Sequence, residues 1–368
     1  VLIKTATMFI LNKILAVYVG PAGYAAIGQF QNFIQMITSF AGGAINTAVI
    51  KYTAEYYEDE NKQRTVWKTA GSIVSIFSFI FTFLVLIFHQ QLSLYIFKTV
   101  EYGSVFIWFA VFLIFFNLNA LLLAILNGKK EILKLVIANI AGSLFSLLVT
   151  SIMAVKYSLY GALVALSIYQ SLNFMVTLFL CYRSSWFNWT YFYGKIDADV
   201  AKKFLAFASM ALVSAICVPL SQMVIRSYLS HEYSAVYAGY WEAMIRLSAA
   251  YLMLVTTTLG IYYLPRLSEL SNIQDIKKEI YLGYKLIFPL AVVGGAIVFI
   301  LKDWIIQLLF SAQFLPMREL FLWQMIGDSL KIGSWILAYL MLSKAMTRLF
   351  ISTEIIFVFI SILLTYPC

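Results

Sequence analysis

Two ion-pair spacings stand inside runs of otherwise apolar residues. Glu242 and Arg246 are four residues apart, and Asp328 and Lys331 three apart, so in a helix each pair shares a face. Uncharged polar residues repeat around them with helical spacing. Gln31, Gln35, Ser39, Gly42 and Asn46 fall within about 80° of one another at ~100° per residue. Glu242, Arg246, Ala249, Thr257 and Gly260 form a second stripe, and Gln324, Asp328, Lys331 and Trp335 a third. Arginine and lysine on such a face suit diphosphate and carboxylate groups, and the acids can carry protons. The bland alternative is that each pair neutralises itself and the amides bond helix to helix.

Three further charges join the candidates. Lys4 and Lys13 are nine residues apart, which puts them on opposite sides of a straight helix, so at most one faces a cavity unless the helix bends. Lys13 can instead snorkel to headgroups, because Gly20-Pro21 follows within two turns. Glu354 is a lone acid, either a proton or ion site or an interfacial cap. The candidate substrate cavity is therefore Lys4, Lys13, Gln31, Gln35, Asn46, Glu242, Arg246, Thr257, Gln324, Asp328, Lys331 and Glu354.

Other chemistries lack their residues. There is no phosphate-binding Gly-rich loop and no nucleophile beside a base, so we expect no enzyme and no cofactor. Cys181, Cys217 and Cys368 have neither disulfide nor metal spacing. His89 and His231 are too far apart in sequence to suggest a metal cluster.

The elements that must position these residues follow from composition. The 368 residues are 62% hydrophobic and only 12% charged, against about 45–50% and a quarter in soluble domains. Lipid must be the solvent, and without period-2 alternation the expected class is an all-α polytopic membrane protein. Runs of about 20 apolar residues give eleven spans, near 1–19, 24–50, 66–88, 104–127, 135–155, 160–182, 203–225, 234–265, 281–301, 319–343 and 349–366. The loops on one side hold Lys62, Arg64, Lys129, Lys130, Lys202, Lys277, Lys278 and most other basic residues. The opposite loops hold only Lys98, Lys156, Arg226, Lys302 and Arg318. The basic side is cytoplasmic, which places the N-terminus in the cytoplasm and accounts for the net charge of +9 without nucleic acid.

The longest polar connection, 183–202, carries Trp186-Phe187-Asn188-Trp189-Thr190-Tyr191-Phe192-Tyr193, an expected interfacial anchor. It divides the chain into a six-helix lobe at 1–182 and a second lobe at 203–368. A shift of 211 residues lays Gly28 on Gly239, Gln31 on Glu242, Gln35 on Arg246 and Asn46 on Thr257, the pattern of a parallel repeat. The chain opens at Val1 inside one apolar run and stops at Cys368 just after another. We therefore expect truncation, with five of six spans in the second lobe.

A family resemblance rests on ordered segments along most of the chain. They are Lys13-Ile14-Leu15-Ala16-Val17 leading to Gly20-Pro21-Ala22-Gly23, Val49-Ile50-Lys51-Tyr52, Lys203-Phe204, Pro219, and Tyr263-Leu264-Pro265-Arg266-Leu267-Ser268. Trp323-Gln324-Met325-Ile326-Gly327-Asp328-Ser329-Leu330-Lys331 and Lys344-Ala345 complete them. In these the sequence resembles the Wzx-type O-antigen translocases and enterobacterial common antigen flippases of the MATE-like MOP superfamily. The resemblance implies a two-lobed bundle of twelve helices around a partly cationic cavity. It further implies transfer of undecaprenyl-diphosphate-linked oligosaccharide across the bacterial inner membrane by alternating access. The implied partners are that lipid-linked substrate, membrane lipids and polysaccharide polymerase machinery. In this reading Arg246 and Lys331 attract the diphosphate while Glu242 and Asp328 hold the cations in place. The rival reading is a MATE-type multidrug/cation antiporter, which calls for an acid-dominated cavity.

Topology is testable directly. Reporter fusions after Lys62, Lys130, Lys195, Lys277 and Lys344 should report cytoplasm, and fusions after Tyr102, Ser158, Ser230 and Gln313 periplasm. Reversal of the pattern in one half removes the parallel repeat.

Overall fold

A chain solvated by lipid must satisfy its backbone internally, and helices do so within one segment. The computed structural model, which describes residues 2–263, 266–267, 270, 272–344 and 346–365, is helical almost throughout and has no strand among them. The helices are α1 (Leu2–Tyr18), α2 (Gly20–Phe40), α3 (Asn46–Glu55), α4 (Glu60–Phe97), α5 (Gly103–Gly128) and α6 (Ile132–Tyr182). They continue as α7 (Ala198–Glu232), α8 (Ala235–Thr258), α9 (Ile273–Ile300), α10 (Lys302–Leu309), α11 (Phe321–Ser343) and α12 (Thr347–Thr365). Seven helices are by themselves long and apolar enough to cross a bilayer, and the bent α2–α3 pair brings the number to eight. At 51 residues, α6 is too long for one crossing. Ser158 breaks it at φ 48° and ψ −128°, between the spans expected at 135–155 and 160–182. Leu264, Pro265, Ser268, Ala345 and Cys368 lie outside the described residues.

The packing forms two compact units, Ala26–Met223 and Val1–Ala25 with Val224–Cys368. This division falls inside α2 and α7, away from the 183–202 connection. In the first unit α5 is the central helix: Val105, Phe106, Phe109, Leu113, Leu121 and Ile125 are all fully buried. Phe30 and Phe33 of α2 meet Phe106 and Phe109 edge to face, the geometry that ring quadrupoles favour. By contrast, α4 exposes Phe79, Ile80, Phe83, Ile87 and Phe88, a face suited only to lipid.

The second expected span is not straight. It bends by 67° between α2 and the segment Gly43–Glu55. Gly42 makes the turn at φ 125°, a conformation open to glycine and closed to most side chains. The carbonyl of Ala41 at this break accepts from Ser78 Oγ at 3.1 Å and Asn117 Nδ2 at 3.2 Å. Side chains thus replace the lost helical partner, as membrane depth requires. Asn46 lies beyond the bend, so it does not continue the Gln31–Gln35–Ser39 stripe.

The aromatic connection is folded into the first unit. Phe192 is buried, and Trp186 donates its indole N–H to Glu131. Glu131 also pairs with Lys134 at 2.6 Å and accepts from Ser184. Burial works against its charge, but the Lys134, Trp186 and Ser184 donors outweigh burial and hold the carboxyl below its usual range. Only Trp189 and Tyr193 stand exposed in the manner expected of interfacial anchors.

In the second unit α1 packs on α8 and α10. Tyr284 Oη donates to the Gly333 carbonyl at 2.9 Å, tying α9 to α11. After Thr258 the eighth expected span continues as π-helix over Leu259–Tyr263, where the 100° register no longer holds. Gly260 therefore leaves the Glu242–Arg246 stripe.

Gly71 of α4 lets the connection approach closely. A Cβ there would stand 2.0 Å from the Phe192 carbonyl oxygen. Nearby, Ser72 Oγ donates to Gly194 O at 2.9 Å, and Asp197 N–H donates to Thr69 Oγ1 at 3.2 Å. We expect Gly71→Val to lower the melting temperature of the detergent-solubilised protein, an overpacking cost of about 1–3 kcal/mol. Gly194→Ala, whose Cβ meets only the flexible Lys68 chain at 3.4 Å, should leave it within a degree or two. Equal melting of the two variants would show that the connection is not held here.

Candidate functional site

The second unit buries three charges together. Glu242 of α8 accepts from Arg226 Nη2 of α7 at 2.5 Å and from Arg246 Nε, one turn along α8, at 2.8 Å. The side chains of Arg226 and Glu242 are 1% and 5% exposed, and that of Arg246 is 13% exposed. Each arginine also lies near an aromatic ring, Arg226 5.4 Å from the Trp241 centroid and Arg246 5.3 Å from that of Tyr24. Two guanidinium groups thus bracket one carboxylate in a low-dielectric setting, and guanidinium geometry is suited to phosphate and carboxylate groups.

Arg226 is the functional residue missing from the sequence reading. It falls one residue past the expected span 203–225, whereas α7 runs on to Glu232, about two turns further. Its partner is sixteen positions away, so no local periodicity links them. The available signal was the run Gln222–His231, which contains neither Gly nor Pro to stop a helix.

Asp328 and Lys331 do not form the pair that their spacing allows. Asp328 is buried and accepts from Ser248 Oγ, Tyr251 Oη and, at 3.0 Å, Gln324 Nε2. Lys331 is exposed, its ammonium 5.5 Å from the Trp335 ring centroid. Gln324 thus belongs to the Asp328 group and also donates to Ser248 Oγ at 3.2 Å.

The remaining candidates scatter. Lys13 donates to the carbonyls of Gln307 and Phe310 at 2.7 and 2.5 Å, capping the C-terminal end of α10. Lys4 stands exposed on α1. Thr257 spends its hydroxyl on the Met253 carbonyl of its own helix at 2.6 Å. Glu354 is half-buried on α12. Gln31 and Gln35 stay together on α2 and line a cavity in the first unit, while Asn46 sits past the bend.

Known proteins sharpen this picture. The lipid III flippases of Escherichia coli (strain K12) and Shigella flexneri are each 28% identical to this chain over 354 residues, covering 96% of it and 85% of their own length. Among solved structures, the inward-facing conformation of a multidrug resistance MATE family transporter of the MOP superfamily superposes with TM-score 0.61. The identity is 15%, with 98% of this chain and 83% of that one covered. A Vibrio cholerae MATE transporter gives 0.60 at 15% identity, covering 99% and 85%. At such identity these structures establish the fold alone, which is that of a multi-pass MATE-like bundle. The polysaccharide biosynthesis protein family matches residues 1–271, a stretch that takes in α1 to α8 and with them Arg226, Glu242 and Arg246. The chain belongs to that family.

Proposed function

We propose that this protein is a flippase for undecaprenyl-diphosphate-linked oligosaccharide, moving the repeat unit from the inner to the outer leaflet of the bacterial inner membrane by alternating access. Its N-terminus lies in the cytoplasm, and it acts without covalent catalysis. Family membership supports the pathway, and the two curated relatives are themselves named for flipping a lipid. The observation that carries the substrate class is the Arg226–Glu242–Arg246 group. It brings two guanidinium groups together on one carboxylate, and such planar donor forks suit a diphosphate better than the cationic cargo of a drug antiporter.

The two arginines divide the work by exposure. Arg226, at 1% exposure, keeps Glu242 neutralised inside the bundle. Arg246 retains an accessible edge and meets the diphosphate. At an effective dielectric of about 20, one unit charge at 4 Å contributes about 4 kcal/mol, so a diphosphate competes well with the single carboxylate.

Surface polysaccharide in a flippase-deficient strain, measured at matched protein levels, tests the assignment. Arg246→Ala should insert normally, because Arg226 still neutralises Glu242, yet export should fall roughly tenfold or more. Arg246→Lys should keep part of the activity. Arg226→Met should instead lower the amount of inserted protein. Near-wild-type export from Arg246→Ala would remove the diphosphate role from this residue.

A further inference from the structure

The first unit contains a cavity of about 230 Å³ with a different chemistry. Gln31, Gln35 and Thr38 of α2 line it together with Gln170 and Tyr169 of α6, and Phe116 of α5 closes the aromatic side. None of the described side chains lining it carries a charge. Gln35 is exposed, and its carboxamide has no partner among the described residues. Gln170 spends one donor on Tyr169 Oη at 3.0 Å. Its carbonyl oxygen and second N–H remain for whatever fills the cavity.

We infer that this cavity is a subsite for one uncharged sugar ring of the lipid-linked substrate. The inference rests on the flippase reading above and adds a site to it. A carboxamide offers one acceptor and two donors, which matches the paired donors and acceptors of neighbouring sugar hydroxyls. Phe116 and Tyr169 supply the apolar surface that the C–H face of a pyranose requires. Charged ligands fit poorly, because a phosphate or uronate here would lose its water and find no cation. The volume is below the roughly 300 Å³ of the smallest drug-sized pockets, so it accommodates a ring and not a whole repeat unit.

The test uses the full chain in lipid nanodiscs with four separate soluble probes: methyl glucoside, N-acetylglucosamine, methyl glucuronide and inorganic diphosphate. Wild-type protein should bind at least one neutral sugar roughly tenfold more tightly than methyl glucuronide. In Gln35→Leu and Gln170→Leu that sugar binding should disappear while diphosphate binding stays. Arg246→Ala should weaken the diphosphate. Gln35→Cys gives a readout independent of the leucine variants, since the better neutral sugar should protect it from maleimide and diphosphate should not. If diphosphate binds through Arg246 but no neutral sugar binds, the subsite is overturned and the flippase reading stands. Equal or tighter binding of methyl glucuronide overturns it as well. If wild-type protein binds none of the four, both readings fall together.

Discussion

Lipid cannot hydrogen-bond, and every feature of this chain answers to that constraint. It forces the backbone into helices and makes each interruption need its own replacement partners. The α2–α3 bend illustrates the rule. Gly42 provides the turn, and Ser78 and Asn117 take over the carbonyl of Ala41. The same constraint inverts the usual surface, so that α4 presents phenylalanine and isoleucine outward while serines and asparagines are buried.

Charge obeys the constraint through company. A lone ion at membrane depth is costly, and the structure gives three of the charges in the expected spans a compensating arrangement. Lys13 lies on the closing carbonyls of α10, Glu242 lies between two arginines, and Asp328 is surrounded by hydroxyls and an amide. These arrangements differ in exposure. Lys13 rests on backbone carbonyls, whereas Arg246 keeps a partly exposed edge beside Glu242. The proposed substrate contact is therefore placed at Arg246.

The two units differ in the polar groups they hold. Amides at Gln31 and Gln35 leave a neutral cavity beside Phe116 and Tyr169, while acid and base at Glu242 and Arg246 create an ionic group with Arg226.

Composition by itself determined the solvent and therefore the helical class, because an excess of apolar residues this large has no other physical outcome. Periodicity determined the polar faces of α2, α8 and α11, since residues four apart in a helix are neighbours whatever surrounds them. The Glu242–Arg246 contact was legible for that reason. The same local rule suggested a bond between Asp328 and Lys331, and there tertiary packing decided otherwise. Ser248 and Tyr251 came within reach of the carboxylate from α8, and Lys331 turned to Trp335. Arg226, the partner of the central acid, was invisible because contact across sixteen residues depends on how α7 lies against α8. Gly42 sets a bend that no periodic reading anticipates, since one backbone angle redirects everything after it, whereas the break at Ser158 falls between two spans the sequence had already separated. Spacing along one helix is intrinsic to the chain, whereas the meeting of two helices exists only once the whole bundle has packed.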